Sequence, residues 1–146
     1  SSLGFALAFL AAFDRGDRIA ITTPGYPAYR NLMLAMGLVP VEMPARAADG
    51  WVPSIDALET AGEPLPAGML LASPANPTGV VMSDDDVKDV CEWCHRKGVR
   101  LIMDEIYHGL TFEGRPSTAL CYSDSVIVVN SFSKYFQTFF YFFLID

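Results

Sequence analysis

Basic residues are scarce in this sequence and do not cluster. Ten Lys and Arg stand against 17 Asp and Glu, which gives a formal net charge of −7. A protein that tracks a phosphate backbone needs a dense stripe of positive side chains. We therefore expect no nucleic-acid partner.

Long apolar runs are also missing. The longest, around residues 5–13 and 138–145, fall short of the roughly 20 residues needed to cross a bilayer as a helix. No membrane span is predicted. The first residues lack the basic region of a secretory signal. Because the chain opens at Ser1 without an initiator Met, we expect it to be part of a longer protein.

Cysteine is rare as well. Cys91, Cys94 and Cys121 are too few and too unevenly spaced for a disulfide framework, which favours a reducing compartment and hence the cytoplasm. The string from Cys91 to His95 matches the Cys-x-x-Cys-His pattern of haem attachment. The competing interpretation is core packing, because apolar residues recur there at helical spacing, namely Val87, Val90, Cys91 and Cys94.

What the sequence does contain is an alternation of helix-like and strand-like segments. With 146 residues and 51% hydrophobic residues, one domain is expected. Continuous apolar runs bounded by polar residues are typical of parallel strands buried on both faces. The fold class predicted is α/β, a mostly parallel sheet with helices on both faces. The helices are predicted at about 3–11, 26–36, 54–61 and 84–97, and the strands at 18–23, 38–43, 68–73, 99–103 and 125–130.

Helix boundary signals support this reading. Ser83 precedes three aspartates, whose negative charges suit the positive end of a helix. Gly37 and Gly98 follow helical patterns and are natural left-handed caps.

Three predicted strands end in unusual polar segments. The strand at 68–72 is followed by residues 73–79, the strand at 99–103 by 104–107, and the strand at 125–129 by 130–134. In open α/β sheets, ligands bind where the strands finish. The sequence therefore predicts a ligand site built from these segments.

These segments carry a resemblance to a known family. Asn76-Pro77-Thr78-Gly79, Asp104-Glu105-Ile106-Tyr107 and Ser131-Phe132-Ser133-Lys134 resemble, in order and approximate spacing, the motifs of the class I/II aminotransferases, which are fold-type I pyridoxal-phosphate enzymes. Pro24 to Tyr29 is similar to the family's aromatic segment beside the cofactor ring. The resemblance covers residues 1 to about 136, the incomplete core of the family's large domain.

The resemblance implies a catalytic role for Lys134, Asp104 and Tyr107. Lys134 would carry pyridoxal 5'-phosphate as a Schiff base, and Asp104 would keep the pyridine nitrogen protonated, so that the ring acts as an electron sink. Tyr107 and Asn76 would bind the phenolic oxygen of the ring. The remaining cofactor-binding residues implied are Tyr26, which would stack on the ring, and Ser1, Ser2, Ser131 and Ser133, which would bind the phosphate. No metal is expected.

Taken singly, each residue has a simpler explanation. An isolated lysine is usually a surface residue, and an aspartate after a strand often caps a turn. Asn76 could form a turn, and Tyr107 could pack in the core.

The sequence leaves the family pattern after Phe136. There the family continues with a Gly-rich stretch and a basic residue that clamps the phosphate, whereas Phe142 occupies the expected position here. Residues 137–146 are an uncharged aromatic tail up to Asp146, and such a run is an aggregation hazard if exposed. We therefore divide the chain into a core at 1–136 and a tail at 137–146.

The resemblance implies an aminotransferase that moves an amino group from an amino acid to a 2-oxo acid, as a homodimer in the whole protein. A β-lyase or related pyridoxal enzyme, or a non-catalytic effector-binding domain of a transcription regulator, remain alternatives, because the core motifs alone do not separate them. The 146 residues by themselves are expected to be inactive.

Overall fold

The computed structural model describes residues 2–53, 55 and 64–136. Within them lies a five-stranded sheet with the order β2-β1-β3-β4-β5, in which every neighbouring pair is parallel. The strands are β1 (Arg18–Thr23), β2 (Val39–Pro44), β3 (Gly68–Ala72), β4 (Arg100–Asp104) and β5 (Ile127–Val129).

Helices connect the strands. The α-helices are α1 (Ser2–Ala12), α2 (Pro27–Ala35), α3 (Asp84–Lys97) and the single turn α4 (Phe132–Tyr135), and short 3-10 turns cover Ala47–Asp49 and Ala119–Cys121. Strand β5 covers three residues and is shorter than the strand predicted at 125–130. Of the predicted helix at 54–61 only Ile55 is described, and it packs against the core on the α3 face; the tail at 137–146 lies outside the described residues.

Side chains on the central strands alternate between two cores, one on each face of the sheet. In β4, Leu101 and Met103 pack on the face covered by α3, whereas Ile102 packs on the face covered by α1 and α2. Strand β3 repeats the pattern, with Met69 and Leu71 on one face and Leu70 on the other. This burial on both faces confirms the predicted α/β fold class.

The predicted helix caps form as expected. The Ser83 hydroxyl accepts a hydrogen bond from the amide of Asp86 at 3.1 Å, and the Asp86 carboxylate accepts one from the amide of Ser83 at 3.0 Å, which is a capping box. Gly98 ends α3 with a φ of 69°, and Gly37 follows α2 with a φ of 78°.

Helix α3 buries two cysteines. Cys91 and Cys94 are 2% and 3% exposed and pack in the core with Val87 and Val90, as the helical spacing predicts. Trp93 is buried as well, which the spacing did not predict. Core packing is therefore confirmed for this segment. No helix among the described residues combines the length and apolar character needed to cross a membrane.

Candidate active site

Strands β3, β4 and β5 place the three polar segments side by side. Ala72 is paired with Asp104, and Asp104 with Val129, so the strands finish in register. Just past these pairs the amide of Ser73 donates to the carbonyl of Asp104 at 3.0 Å, and the amide of Glu105 donates to the carbonyl of Val129 at 2.9 Å. The structure thus brings the predicted segments to one edge of the sheet, as parallel strands require.

Asp104 lies at the centre of this edge. It is the last residue of β4, not the first residue beyond it, and its side chain is buried. Its Oδ1 accepts a hydrogen bond from the amide of Ile106 at 3.0 Å, and its Oδ2 accepts one from the hydroxyl of Tyr29. The carboxylate therefore forms the turn that a strand-end aspartate commonly forms, and also binds a side chain from α2.

Burial raises the pKa of Asp104 above its ordinary value, and the hydrogen bonds from Tyr29 and Ile106 partly offset that rise. The pKa of Tyr29 is raised too, first by burial and then by the negative charge of Asp104. Within the part of the chain that the structure describes, no basic side chain forms an ion pair with Asp104. This buried carboxyl would gain from a cationic partner.

Tyr26 joins this group through Tyr29. Tyr26 directly precedes α2, and its ring packs edge-on against that of Tyr29, with centroids 5.4 Å apart and an interplanar angle of 87°. The ring of Phe5 in α1 also packs edge-on against that of Tyr29, with the ring centroids 5.1 Å apart. Tyr29 is buried whereas Tyr26 is 38% exposed, so one ring holds Asp104 and the other presents an aromatic surface.

Asn76 and Tyr107 line the same open cavity, which has a volume of about 530 Å³. Both side chains are half-buried, one in the loop after β3 and the other in the turn after β4. The Nζ of Lys134 lies 5.9 Å from the centroid of the Tyr107 ring. The cavity and this contact bring Asn76, Tyr107 and Lys134 together, as the motifs predict.

The predicted phosphate-binding serines lie beside the end of β5. Ser131 directly precedes α4, and its Oγ lies 2.7 Å from the Oγ of Ser133. The start of α1 passes close by, since a Cβ added to Gly4 would lie 3.2 Å from Cγ1 of Val129. Ser2 is exposed at the beginning of α1. Ser1 lies outside the described residues.

Glu105 is a second buried carboxylate at this edge. Its Oε1 accepts hydrogen bonds from the hydroxyl of Thr118 at 3.0 Å and from the amide of Ala119 at 2.8 Å, and its Oε2 lies 3.4 Å from Nδ1 of His108. Glu105 is only 2% exposed. It therefore closes the loop from Ile106 to Thr118 at its base.

Sequence reasoning did not assign the roles of Tyr29 and Glu105. The available signal for Tyr29 was its position three residues after Tyr26, which places both rings on one side of a helix. The signal for Glu105 was an ionisable residue directly after a buried strand. Among the described residues, no hydrogen bond joins Lys134 to Asp104, or Ser2 to Ser131 or Ser133.

Comparisons with known proteins cover nearly the whole chain. Residues 1–138 match the family model described as aminotransferase class I and II. The chain is 47% identical over 138 residues to a valine–pyruvate aminotransferase of Mycobacterium tuberculosis, covering 93% of this chain and 35% of that relative. It is 32% identical over 132 residues to an aspartate aminotransferase of Streptomyces avermitilis, covering 87% and 32%.

Solved structures agree with these matches. A crystal structure of an aminotransferase from Mycobacterium tuberculosis superposes with a TM-score of 0.88 at 46% identity, over 94% of this chain and 36% of that one. The alanine aminotransferase from Pyrococcus furiosus gives 0.84 at 29% identity, over 94% and 36%. The chain thus spans about a third of the length of the relatives it matches. By sequence and by fold, the chain belongs to the class I and II aminotransferase family.

Proposed function

We propose that this chain is the cofactor-binding core of a pyridoxal-phosphate-dependent aminotransferase, which moves an amino group from an amino acid to a 2-oxo acid. Members of the family use pyridoxal phosphate. The observation that carries the proposal is the buried Asp104 carboxylate at the carboxyl end of a central strand, with Lys134 and Tyr107 in contact at the same edge.

The residues at this edge fit the cofactor. A protonated pyridine nitrogen is a cation, and Asp104 is a buried carboxyl to which no basic side chain is paired among the described residues. The pairing would offset the burial that raises the pKa of Asp104. Tyr26, which packs edge-on against Tyr29 and is partly exposed, would supply an aromatic surface suited to a flat ring.

The phosphate has a matching set of donors. The Oγ atoms of Ser131 and Ser133 lie together next to the end of β5. The start of α1, with Ser2, approaches the same strand, and unpaired amides at the beginning of a helix favour an anion. We assign Ser1 to this group on the resemblance alone.

Asn76 and Tyr107 share the wall of one cavity and would bind the phenolic oxygen of the ring. The amide of Asn76 and the hydroxyl of Tyr107 can both donate hydrogen bonds. Their role is to hold the ring at a fixed angle, because catalysis by orientation depends on a fixed geometry of the reacting bond.

Lys134 performs two tasks. Its amine would hold the cofactor covalently, and its free Nζ would accept and return the proton of the substrate Cα. When bound, pyridoxal phosphate supplies an electron sink for the pair of electrons left by that proton. Asp104 would support this chemistry by keeping the ring nitrogen protonated.

The proposal also covers the substrates, the assembly and the location of the protein. The substrates are an amino acid and a 2-oxo acid. The whole protein is a homodimer in the cytoplasm. Residues 1–136 form the core of its large domain, and residues 137–146 are a separate tail. The relatives named above are all described as aminotransferases, which favours transfer over a lyase reaction or a regulatory role.

The test is to reduce the whole protein with borohydride in the presence of pyridoxal phosphate and map the adduct by peptide mass spectrometry. We expect the adduct on Lys134, and its loss in Lys134→Ala. Lys88→Ala is the control, because Lys88 is an exposed residue of α3 whose Nζ lies 4.0 Å from Glu92. An adduct on Lys88 in the wild type would overturn the assignment.

Product analysis separates the two kinds of reaction. A transferase converts an amino acid and 2-oxoglutarate to a new 2-oxo acid and glutamate. Release of ammonia and a cleaved side chain without glutamate formation would instead identify a lyase.

A further inference from the structure

Gly109 is in unusually close contact with the residue that follows Lys134. It lies in the turn after β4 with a φ of 88°, in the left-handed region that favours glycine. A Cβ at this position would lie 2.7 Å from Cδ2 and 2.8 Å from Cε2 of Tyr135. Non-bonded carbon atoms pack at about 3.5–4.0 Å. The Tyr135 ring therefore occupies the space that any other residue at position 109 would fill.

The same two segments touch at a second point. Lys134 precedes Tyr135 in α4, and its Nζ lies 5.9 Å from the centroid of the Tyr107 ring. Consecutive residues of α4 thus rest on Tyr107 and Gly109. Two adjacent contacts fix the direction of the Lys134 side chain better than one contact would.

The turn that receives these contacts is well anchored. The amide of His108 donates a hydrogen bond to the carbonyl of Glu105 at 2.9 Å. The amide of Leu110 donates one to the carbonyl of Tyr107 at 3.0 Å. Glu105 is itself held by its buried hydrogen bonds. Helix α4, by contrast, is one turn of four residues and contains no buried side chain. The turn after β4 is therefore the better anchored of the two segments, and its contacts position α4.

We propose that Gly109 is a positioning residue for Lys134: its missing side chain lets the Tyr135 ring pack on the backbone, and this contact holds the Lys134 amine over Tyr107. The inference rests on the proposed function of Lys134. It adds to that function the residue that sets where the amine lies.

The test compares Gly109→Ala with Gly16→Ala in the whole protein. Gly16 has a φ of 94° and no atom within 4 Å of an added Cβ, so its substitution introduces the backbone strain without the clash. We expect Gly109→Ala to lower turnover roughly a hundredfold, which is the effect of displacing a reacting group by about 1 Å. Gly16→Ala should lower the melting temperature and leave turnover unchanged. Equal turnover in the two variants would overturn the proposal.

A second readout needs no cofactor. The rate at which an amine-reactive reagent labels Lys134 in the cofactor-free protein is measured by peptide mass spectrometry, with Lys88 as the internal standard. We expect the ratio of Lys134 to Lys88 labelling to change severalfold in Gly109→Ala. An unchanged ratio would show that Gly109 does not position the amine.

A substitution of Tyr135 tests the same contact by removing the aromatic ring. This test remains informative if Gly109→Ala fails to fold. Tyr135→Ala should alter the labelling ratio, and Tyr135→Phe, which keeps the ring, should restore it. In the Tyr135→Ala background, Gly109→Ala should cause no further change in labelling, because the clash is gone. A full additional effect in that background would contradict the proposal.

These outcomes are distinct from a failure of the proposed function. If Lys134 does not bind the cofactor, borohydride leaves no adduct on Lys134 in the wild type. If only the positioning role is wrong, the wild-type adduct forms on Lys134 and forms at the same rate in Gly109→Ala.

Discussion

The hydroxyl of Tyr29 donates a hydrogen bond to Oδ2 of Asp104 across 75 positions of sequence. The bond joins the first turn of α2 to the end of β4, beside the core that α1 and α2 form on one face of the sheet. It gives the proposed partner of the pyridine nitrogen a fixed orientation. The second oxygen is held by the amide of Ile106, so both ends of the carboxylate are constrained.

Replacing Tyr29 by Phe should therefore impair the site more than the fold. The variant keeps the ring but removes the donor to a buried carboxylate, and a hydrogen bond to a charged group is worth about 1.5–3 kcal/mol. We expect kcat/KM of the whole protein to fall on the order of tenfold or more, because 1.4 kcal/mol corresponds to a factor of ten. Steady-state kinetics provide the measurement.

The control for this substitution is Tyr122→Phe. Tyr122 packs against the core on the α3 face, away from Asp104. Its variant should keep wild-type kinetics. If Tyr29→Phe behaved in the same way, the hydrogen bond would have no part in holding Asp104.

The raised pKa of Asp104 predicts a pH dependence of stability in the cofactor-free protein. Because burial raises its pKa above 3.8, the folded state binds the proton more tightly than the unfolded state does. The contribution of this carboxyl to stability is then fully present below pH 3.8 and is lost as the pH rises through the folded-state pKa. Asp104→Asn removes that loss.

The difference in melting temperature between the two proteins, Asp104→Asn minus wild type, should therefore become more positive as the pH rises from 3 to 7. One amide oxygen replaces two acceptors, which adds a cost that is the same at both pH values. Asp89→Asn, which removes an exposed carboxylate of α3, is the control. A difference between Asp104→Asn and wild type that stayed constant across this range would contradict the burial argument.

The three cysteines should differ sharply in reactivity. Burial raises the pKa of the Cys94 thiol to about 12 and also raises the pKa of Cys91, whereas Cys121 is exposed. Since the thiolate is the reactive form, iodoacetamide at pH 8 should modify one cysteine per folded chain. Peptide mapping should place that label on Cys121.

Two variants check this order. Cys121→Ser should leave both remaining cysteines of this chain unlabelled in the folded state, and Cys94→Ser should leave the labelling of Cys121 unchanged. Labelling of all three cysteines at one rate would mean that α3 does not shield its thiols.

The sequence predicted the elements that depend on neighbouring residues. Strand β1 was placed at its observed bounds because six consecutive residues carry the pattern, and α3 because Ser83 and Gly98 mark both of its ends. Asp104 and Lys134 stand out in the sequence because each belongs to a polar motif at or just after a buried strand, and their roles stay a prediction. In all these cases the information lies within one short contiguous segment of the chain.

Contacts between distant residues were out of reach of the same reasoning. Tyr29, which binds Asp104, and Ala119, which binds Glu105, lie far away in the sequence. Only the packing of α2 and of the Ala119–Cys121 turn against the sheet brings them close. Tyr26 was assigned to the cofactor, but its neighbour Tyr29, with a similar local pattern, turned inward. Which of these two tyrosines is buried depends on how α1 and α2 pack, through Phe5, and not on local sequence.

The buried Glu105 also limits how far a change in the loop after β4 can spread. By binding Thr118 and Ala119 it ties together the two ends of the loop that begins at Ile106, while Phe112 at the far end of the loop is fully exposed. Insertions or exchanges around Phe112 are therefore mechanically separated from Asp104. The loop tip, which borders the cavity shared by Asn76 and Tyr107, can therefore be exchanged without disturbing the buried hydrogen bonds of Glu105.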